Sequence, residues 1–502
     1  MSNAFSTKRS VLYGVIVTVG LLALFELMAR VAESFKPPSE LLSSIVLPKP
    51  NDSFRIFVYG GSTAEGQPTP ELGFVRQLEF WLREYRPDKS LEVYNFAEAG
   101  RTAAYARRKV AESITFEPDL LIVLSGHNEF LYRRTESIPN RIVASLALTR
   151  SLARKLDRMQ EGLSPDSIPA PSYEAYDRDS SVFRQKVQAY SENLADLVET
   201  ARQYDTPVIL VTAPSNLSNW PPAYKGLANN DREELQQKWV QEVGHFLAAG
   251  LSNKAKASIQ ENLVEYPDDA LLLYLLGTSH EAALDYDRAR SLYLRAKDLD
   301  PIPWRALTEF NQSMRGLAQL DGVYLADAEQ HFEQHADHGL VGFSLVIDNC
   351  HPTPLGNAII VRSILEVMKE ERLYIESEIA LMTVDTSLTH FYSQTTTPAT
   401  HRLTELAQAL ESAKYSMKTP FHNNTTSRMY LERALVIDSS NWEIWVNLAT
   451  LALLENRIAE GRRLLSKAIE LHGAPIDEND RGVAPYLKEA LSQSGVRLAE
   501  FQ

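Results

Sequence analysis

The chain has almost no cysteine. Cys350 stands alone among 502 residues, so neither an intramolecular disulfide nor a cysteine-based metal cluster can form. A disulfide-free chain suits any compartment, so cysteine usage does not locate it. Excess positive charge is also lacking. Lys and Arg total 51 against 65 Asp and Glu, a formal net charge of −14. That excludes the dense basic face a nucleic-acid binder needs. Long hydrophobic runs are scarce too. The one that stands out extends from Val11 to Phe25 and continues less cleanly through Leu27 and Met28. A spanning helix takes about 18 or more apolar residues, so this run is marginal. A cleaved signal peptide and a retained anchor are the two readings. Leu27-Met28-Ala29 and Arg30-Val31-Ala32 are poor small-x-small cleavage sites, and no cysteine follows to carry a lipid. Both points favour a retained anchor over residues 11–31. Glu26 and Arg30, one helical turn apart, can pair near its outer interface. Lys8 and Arg9 precede the run and place residues 1–10 in the cytoplasm. Everything beyond the anchor is then periplasmic or extracellular, on a single-pass membrane protein.

What the chain does have begins with Pro37-Pro38, Pro48 and Pro50, which mark residues 32–52 as an extended linker. Apolar strands then alternate with amphipathic helices. Strands are expected at Phe54–Tyr59, Leu91–Phe96, Asp119–Ser125, Pro207–Thr212 and Gly322–Ala326. Helices are expected at Phe74–Tyr85, Ala103–Ile114, Phe183–Tyr204 and Trp304–Leu317. Strands of this kind, buried on both faces, predict a parallel five-stranded α/β sheet whose site lies at the strands' carboxyl ends. Residues 135–179 break the alternation, with a basic, apolar helix around Asn140–Met159 that reads as the surface helix of an enlarged loop or, second, as one resting on a membrane surface.

Two regions carry a different period. Leu273, Leu276-Gly277, His280, Ala289, Tyr293, Ala296 and Pro301 fit the tetratricopeptide frame, with a degenerate unit before them. Trp445, Leu448-Ala449, Ala452, Gly461, Leu465 and Ala468 fit it near the C-terminus. In that frame small residues let paired helices approach, and large ones fill the groove between them.

Four short motifs follow one another in order: Gly60-Gly61-Ser62-Thr63, Ala99-Gly100-Arg101-Thr102, Gly126-His127-Asn128-Glu129 and Asp348-Asn349-Cys350-His351-Pro352. Each is common by chance. The first three sit at or just beyond strand ends, which points to one shared site. Ser62, where a strand turns into a helix, has an exposed hydroxyl. His351 has the right chemistry to take its proton, and Asp348 can hold the imidazole.

The set resembles the SGNH/GDSL hydrolase family over roughly residues 53–225 and 305–370. The usual Gly-Asp-Ser of that family appears here as Gly60-Gly61-Ser62. The resemblance implies a flavodoxin-like fold, with Ser62, Asp348 and His351 catalytic. It also implies an oxyanion hole made by the backbone N–H groups of Ser62 and Gly100 and the Asn128 side-chain amide. No metal and no cofactor are needed. His127 and Glu129 receive no chemistry, and Cys350 reads as a filler. Activity is expected to fall as pH drops through an imidazole pKa of about 6 to 7.

The hydrolase domain is then split between residues 53–225 and 305–372, with inserted tetratricopeptide-like helices over 226–304. A C-terminal helical, tetratricopeptide-like region occupies 373–502. The expected activity is removal of O-acyl groups through an acyl-serine intermediate, on an acylated cell-envelope polysaccharide, without nucleic acid. Two alternatives stay open: an O-acyltransferase on envelope glycans, and a tetratricopeptide scaffold on a catalytically silent hydrolase fold. The insert leaves the sheet beside the site. It is expected to shape access or dock a protein partner while adding nothing to acyl transfer.

Overall fold

A computed structural model describes residues 40–132, 175–223, 230–417, 424–477, 483 and 486–501. The anchor at 11–31 and the helix around 140–159 lie outside these residues. Among the described residues no helix is long and apolar enough to cross a membrane.

Five strands form the sheet: β1 (Ser53–Gly60), β2 (Ser90–Asn95), β3 (Leu120–Leu124), β4 (Val208–Val211) and β5 (Val323–Ala326). All pair in parallel, in the order β2-β1-β3-β4-β5. Each expected strand is present, shifted at its ends by no more than a residue or two, because the apolar runs are buried on both faces. Ile56, Phe57, Val58 and Tyr59 are fully buried, as are Leu120 to Val123 and Val208 to Val211. The strand order reverses direction between β1 and β3, and β1 is in register with β3 from Ile56 opposite Leu120 to Gly60 opposite Leu124. The two segments leaving this switch point therefore emerge side by side, where open parallel sheets place their sites. Gly60 is required there: a Cβ would lie 2.1 Å from the Leu124 carbonyl oxygen.

Helices cover both faces. In α1 (Phe74–Tyr85) the buried residues Phe74, Leu78, Trp81 and Leu82 form one stripe at helical spacing. The others around the sheet are α2 (Ala103–Ser113), α3 (Ser181–Gln203), α8 (Thr308–Leu317), α9 (Ala328–His335) and α10 (Pro354–Glu370). Thr353 caps α10 by accepting from the Gly356 N–H at 3.1 Å. The helix expected from Trp304 starts only at Thr308, since residues 300–307 are committed to other hydrogen bonds described below. Nor is the proline-rich stretch before β1 a free linker throughout. Leu42 and Ile45 are buried in the main core, at 7% and 6% exposure.

Between β4 and α8 the chain runs through α4 (Asn230–Ala248), α5 (Ser252–Glu265), α6 (Ala270–Glu281) and α7 (Tyr286–Asp298). Gly277 of α6 faces the Tyr293 ring of α7 so closely that a Cβ would come within 2.8 Å of it. The apolar side chains of this hairpin, among them Leu271, Leu275, Ala289 and Tyr293, join the core of the sheet. The C-terminal helices α11 (Val384–Thr395), α12 (Pro398–Met417), α13 (Asn424–Ile437), α14 (Trp442–Leu454), α15 (Ile458–His472) and α16 (Leu487–Ser494) complete the order. From α12 onward they build a second core, to which Phe343 also contributes. Gly461 of α15 meets Leu453 of α14 as Gly277 meets Tyr293.

Candidate active site

Ser62 opens a one-turn helix, Ser62–Glu65, directly after β1. Its Oγ lies 2.7 Å from His351 Nε2, although the two residues stand 289 positions apart in the chain. His351 Nδ1 lies 2.6 Å from Asp348 Oδ2. The three side chains thus form one hydrogen-bonded relay. The loop that carries the acid and the base is fixed from within. Asp348 Oδ1 accepts from the N–H groups of Cys350 at 2.9 Å and His351 at 2.8 Å. Ile347 N–H donates to the His351 carbonyl at 2.8 Å, and Thr63 Oγ1 reaches the Cys350 carbonyl at 3.4 Å.

Burial opposes charging the His351 ring, but the Asp348 carboxylate bonded to Nδ1 acts against it, and the pKa of the ring stands well above the ordinary 6.5. For Asp348, burial acts upward; the hydrogen bond from His351 and the nearby N–H groups overcome it and hold the carboxyl low. Burial pushes the Cys350 thiol up, so it stays protonated at neutral pH, 3.9 Å from the ring. Asp348, Cys350 and His351 have ligand-type atoms within 4.8 Å of one another. The 2.6 Å hydrogen bond between carboxylate and ring leaves no space for an ion between them.

The other two motifs meet the first at Gly61, beside Ser62. Gly100 has φ +75°, a left-handed conformation that side chains other than glycine rarely adopt. The Asn128 amide lies against Gly61: a Cβ built on Gly61 would sit 2.5 Å from Asn128 Nδ2. Nδ2 spends one hydrogen on the Arg101 carbonyl at 3.0 Å and has a second to offer. Gly61→Ala should displace that amide, the end of a side chain, while the Arg101 carbonyl, 3.1 Å from the added Cβ, gives by a few tenths of an ångström and the fold persists. With Asn128 in the oxyanion role that the resemblance implies, its displacement predicts a fall in kcat of about 10²-fold or more with little change in melting temperature. Ester kinetics beside a thermal melt would check this; an unchanged kcat would dissociate Asn128 from catalysis.

His127 and Glu129, which have no role in the sequence reading, each take a local one in the structure. Glu129 Oε1 accepts from the Ala103 N–H at 2.8 Å, capping α2 and tying the third motif to the second. His127 Nδ1 accepts from the Ala306 N–H at 3.1 Å. Burial, with the charges of His351 and Lys297 adding to it, lowers its pKa to about 3, so it is a neutral ring with the proton on Nε2. Only the Gly-His-Asn-Glu run itself could have drawn attention to them, since their partners lie far off in sequence.

No protein-family model and no curated protein matches this chain. Among solved structures, it is similar to an α/β hydrolase enzyme from the metagenome of Lake Arreo, Spain. That likeness has 13% identity and a TM-score of 0.31, over 62% of this chain and 94% of that one. It is also similar to the psychrotrophic esterase EstA from Pseudoalteromonas sp. (11% identity, TM-score 0.27, 64% of this chain and 98% of that one). An acetyl xylan esterase gives 9% identity and a TM-score of 0.29, over 62% of this chain and 98% of that one. These likenesses are too distant to bear on activity.

Proposed function

We propose that this chain is a serine ester hydrolase of the SGNH/GDSL type. The observation that carries the reading is the relay Ser62 Oγ–His351 Nε2–Asp348 Oδ2, at 2.7 and 2.6 Å. As Oγ attacks an ester carbonyl, His351 Nε2 takes its proton and Asp348 stabilises the imidazolium. The developing oxyanion is met by the N–H groups of Ser62 and Gly100 and by Asn128 Nδ2. His351 returns the proton to the leaving alcohol. Water then attacks the acyl-serine by the reverse proton path and releases the acid. The relay favours an enzyme over a scaffold with a silent fold, since a scaffold gains nothing from it. A fluorophosphonate probe should label the protein on the peptide containing Ser62; no labelling of folded protein would reject the reading.

The substrate class follows from the expected topology. A domain held outside the membrane by residues 11–31 would meet O-acylated polysaccharide of the envelope. Water is the proposed acceptor; product analysis with and without an acceptor sugar separates hydrolysis from acyl transfer. The α6/α7 and α14/α15 hairpins are proposed to be tetratricopeptide-like units that dock a protein partner, a reading supported by the close packing at Gly277 and Gly461. The anchor carries its own expectation. The protein should sediment with membranes, and protease added outside should digest everything beyond residue 52. A soluble protein with a mature N-terminus near residue 30 would identify a signal peptide instead.

A further inference from the structure

Residues 300–307 lead the chain from α7 back to the sheet, and their polar groups are spent on a second network behind the relay. Asp300 and Arg305 form an ion pair at 3.1 Å with side chains only 5% and 2% exposed. Asp300 Oδ1 accepts from the Ala223 and Ile302 N–H groups, each at 3.0 Å. Arg305 Nη1 donates to the carbonyls of Asn216, at 2.9 Å, and Trp220, at 2.6 Å. Asn216, fully buried in the segment after β4, turns the other way. Its Nδ2 donates to the Asp348 carbonyl at 2.8 Å, and its N–H to the Asn349 carbonyl at 3.1 Å. Asn349 Nδ2 in turn donates to the Trp304 carbonyl at 2.8 Å. The inserted helices grip the same segments from outside. Tyr274 hydroxyl donates to the Ser218 carbonyl and Lys297 Nζ to the Ala306 carbonyl, both at 2.6 Å.

A buried ion pair contributes little net stability against apolar side chains of similar size. What Arg305 does supply is two donors that fix the carbonyls of the segment on which Asp348 and Asn349 hang. We propose that Asn216 and, acting through it, Arg305 are positioning residues that hold the Asp348–His351 loop at its working distance from Ser62. The junction at which the insert rejoins the hydrolase domain then belongs to the catalytic support. This rests on the hydrolase reading. It also predicts a particular kinetic signature, because misplacing a catalytic group by about an ångström costs on the order of 10²-fold in rate while leaving substrate binding alone.

The test uses the full chain, with rates expressed per active site titrated by a fluorophosphonate on the folded fraction. Asn216→Ala should lower kcat for a short-chain nitrophenyl ester by roughly 30- to 100-fold, with KM within about twofold. Arg305→Lys, which keeps a charge opposite Asp300, should lower kcat by about tenfold. The double variant should be no slower than Asn216→Ala alone, because the effect of Arg305 passes through Asn216. Should Asn216→Ala not fold, Asn349→Ala removes the tie to Trp304 at a half-buried position and must show the same loss confined to kcat. A purely structural role would reduce the amount of folded protein and leave kcat per titrated site unchanged, overturning the proposal. Multiplying losses in the double variant would overturn the path through Asn216. Failure of the unmodified protein to label at all would instead remove the hydrolase reading itself.

Discussion

Ser62→Ala will abolish fluorophosphonate labelling and lower kcat for a nitrophenyl ester by about 10⁴- to 10⁶-fold. The size follows from how the site divides its work. Without Oγ no acyl-enzyme forms, and His351 has no hydroxyl to deprotonate. What survives is water attack on a carbonyl polarised by Gly100 and Asn128, which elsewhere leaves a residual acceleration of about 10³–10⁴ over the uncatalysed reaction. Stability should hardly move. The substitution deletes one hydrogen bond of Ser62, that to His351 Nε2, at a partly exposed position, a change worth roughly 1 kcal/mol or less. A melting temperature near that of the unmodified protein, together with lost turnover, is the expected pair of results. A folded Ser62→Ala protein that still turns over ester at a tenth of the original rate would remove Ser62 as nucleophile.

The strands and the two halves of the relay were legible in the sequence for the same reason: each is written in residues close together along the chain. Val58-Tyr59-Gly60-Gly61-Ser62 carries a buried strand, its end and the nucleophile in one stretch, and Asp348 to His351 carries the acid and base in another. The supports of the site were not legible. Asn216 meets Asp348 across 132 positions and Arg305 meets Asn216 across 89. Nothing local distinguishes a buried arginine that organises carbonyls from an ordinary surface arginine. Glu129 is a similar case, since only the fold brings its carboxylate to the N-terminus of α2. The proline-rich stretch misled in the opposite direction. Prolines at 37, 38, 48 and 50 read as an extended linker, yet the chain between them makes a helical turn at Glu40–Ser43. They say nothing of Leu42 and Ile45, which the core takes in. The late start of α8 has the same origin, because residues 304–307 give up helical hydrogen bonds for tertiary ones.

The pH dependence is where structure most changes the expectation, and Asp348→Asn exposes the cause. His351 must be neutral to accept the Ser62 proton, so kcat/KM rises with pH through the pKa of the ring. Burial alone would lower that pKa; the Asp348 carboxylate bonded to Nδ1 acts against it, and the ring stands well above 6.5. The unmodified enzyme should therefore gain activity from pH 6 upward, with an apparent pKa above 6.5. In Asp348→Asn the amide has a fixed orientation. The Cys350 and His351 N–H groups already point at the Oδ1 position, at 2.9 and 2.8 Å, so the amide oxygen must take that place. The NH₂ group then faces His351 Nδ1 and donates to it. The ring is driven to the tautomer with its proton on Nε2, where it cannot accept from Ser62. A loss of about 10⁴-fold in kcat is expected, and the apparent pKa should move down as the carboxylate's contribution disappears. Profiles of kcat/KM for both proteins between pH 5 and pH 10 would decide it. An apparent pKa at or below 6.5 in the unmodified enzyme, or a variant within tenfold of its rate, would show that Asp348 does not govern the base.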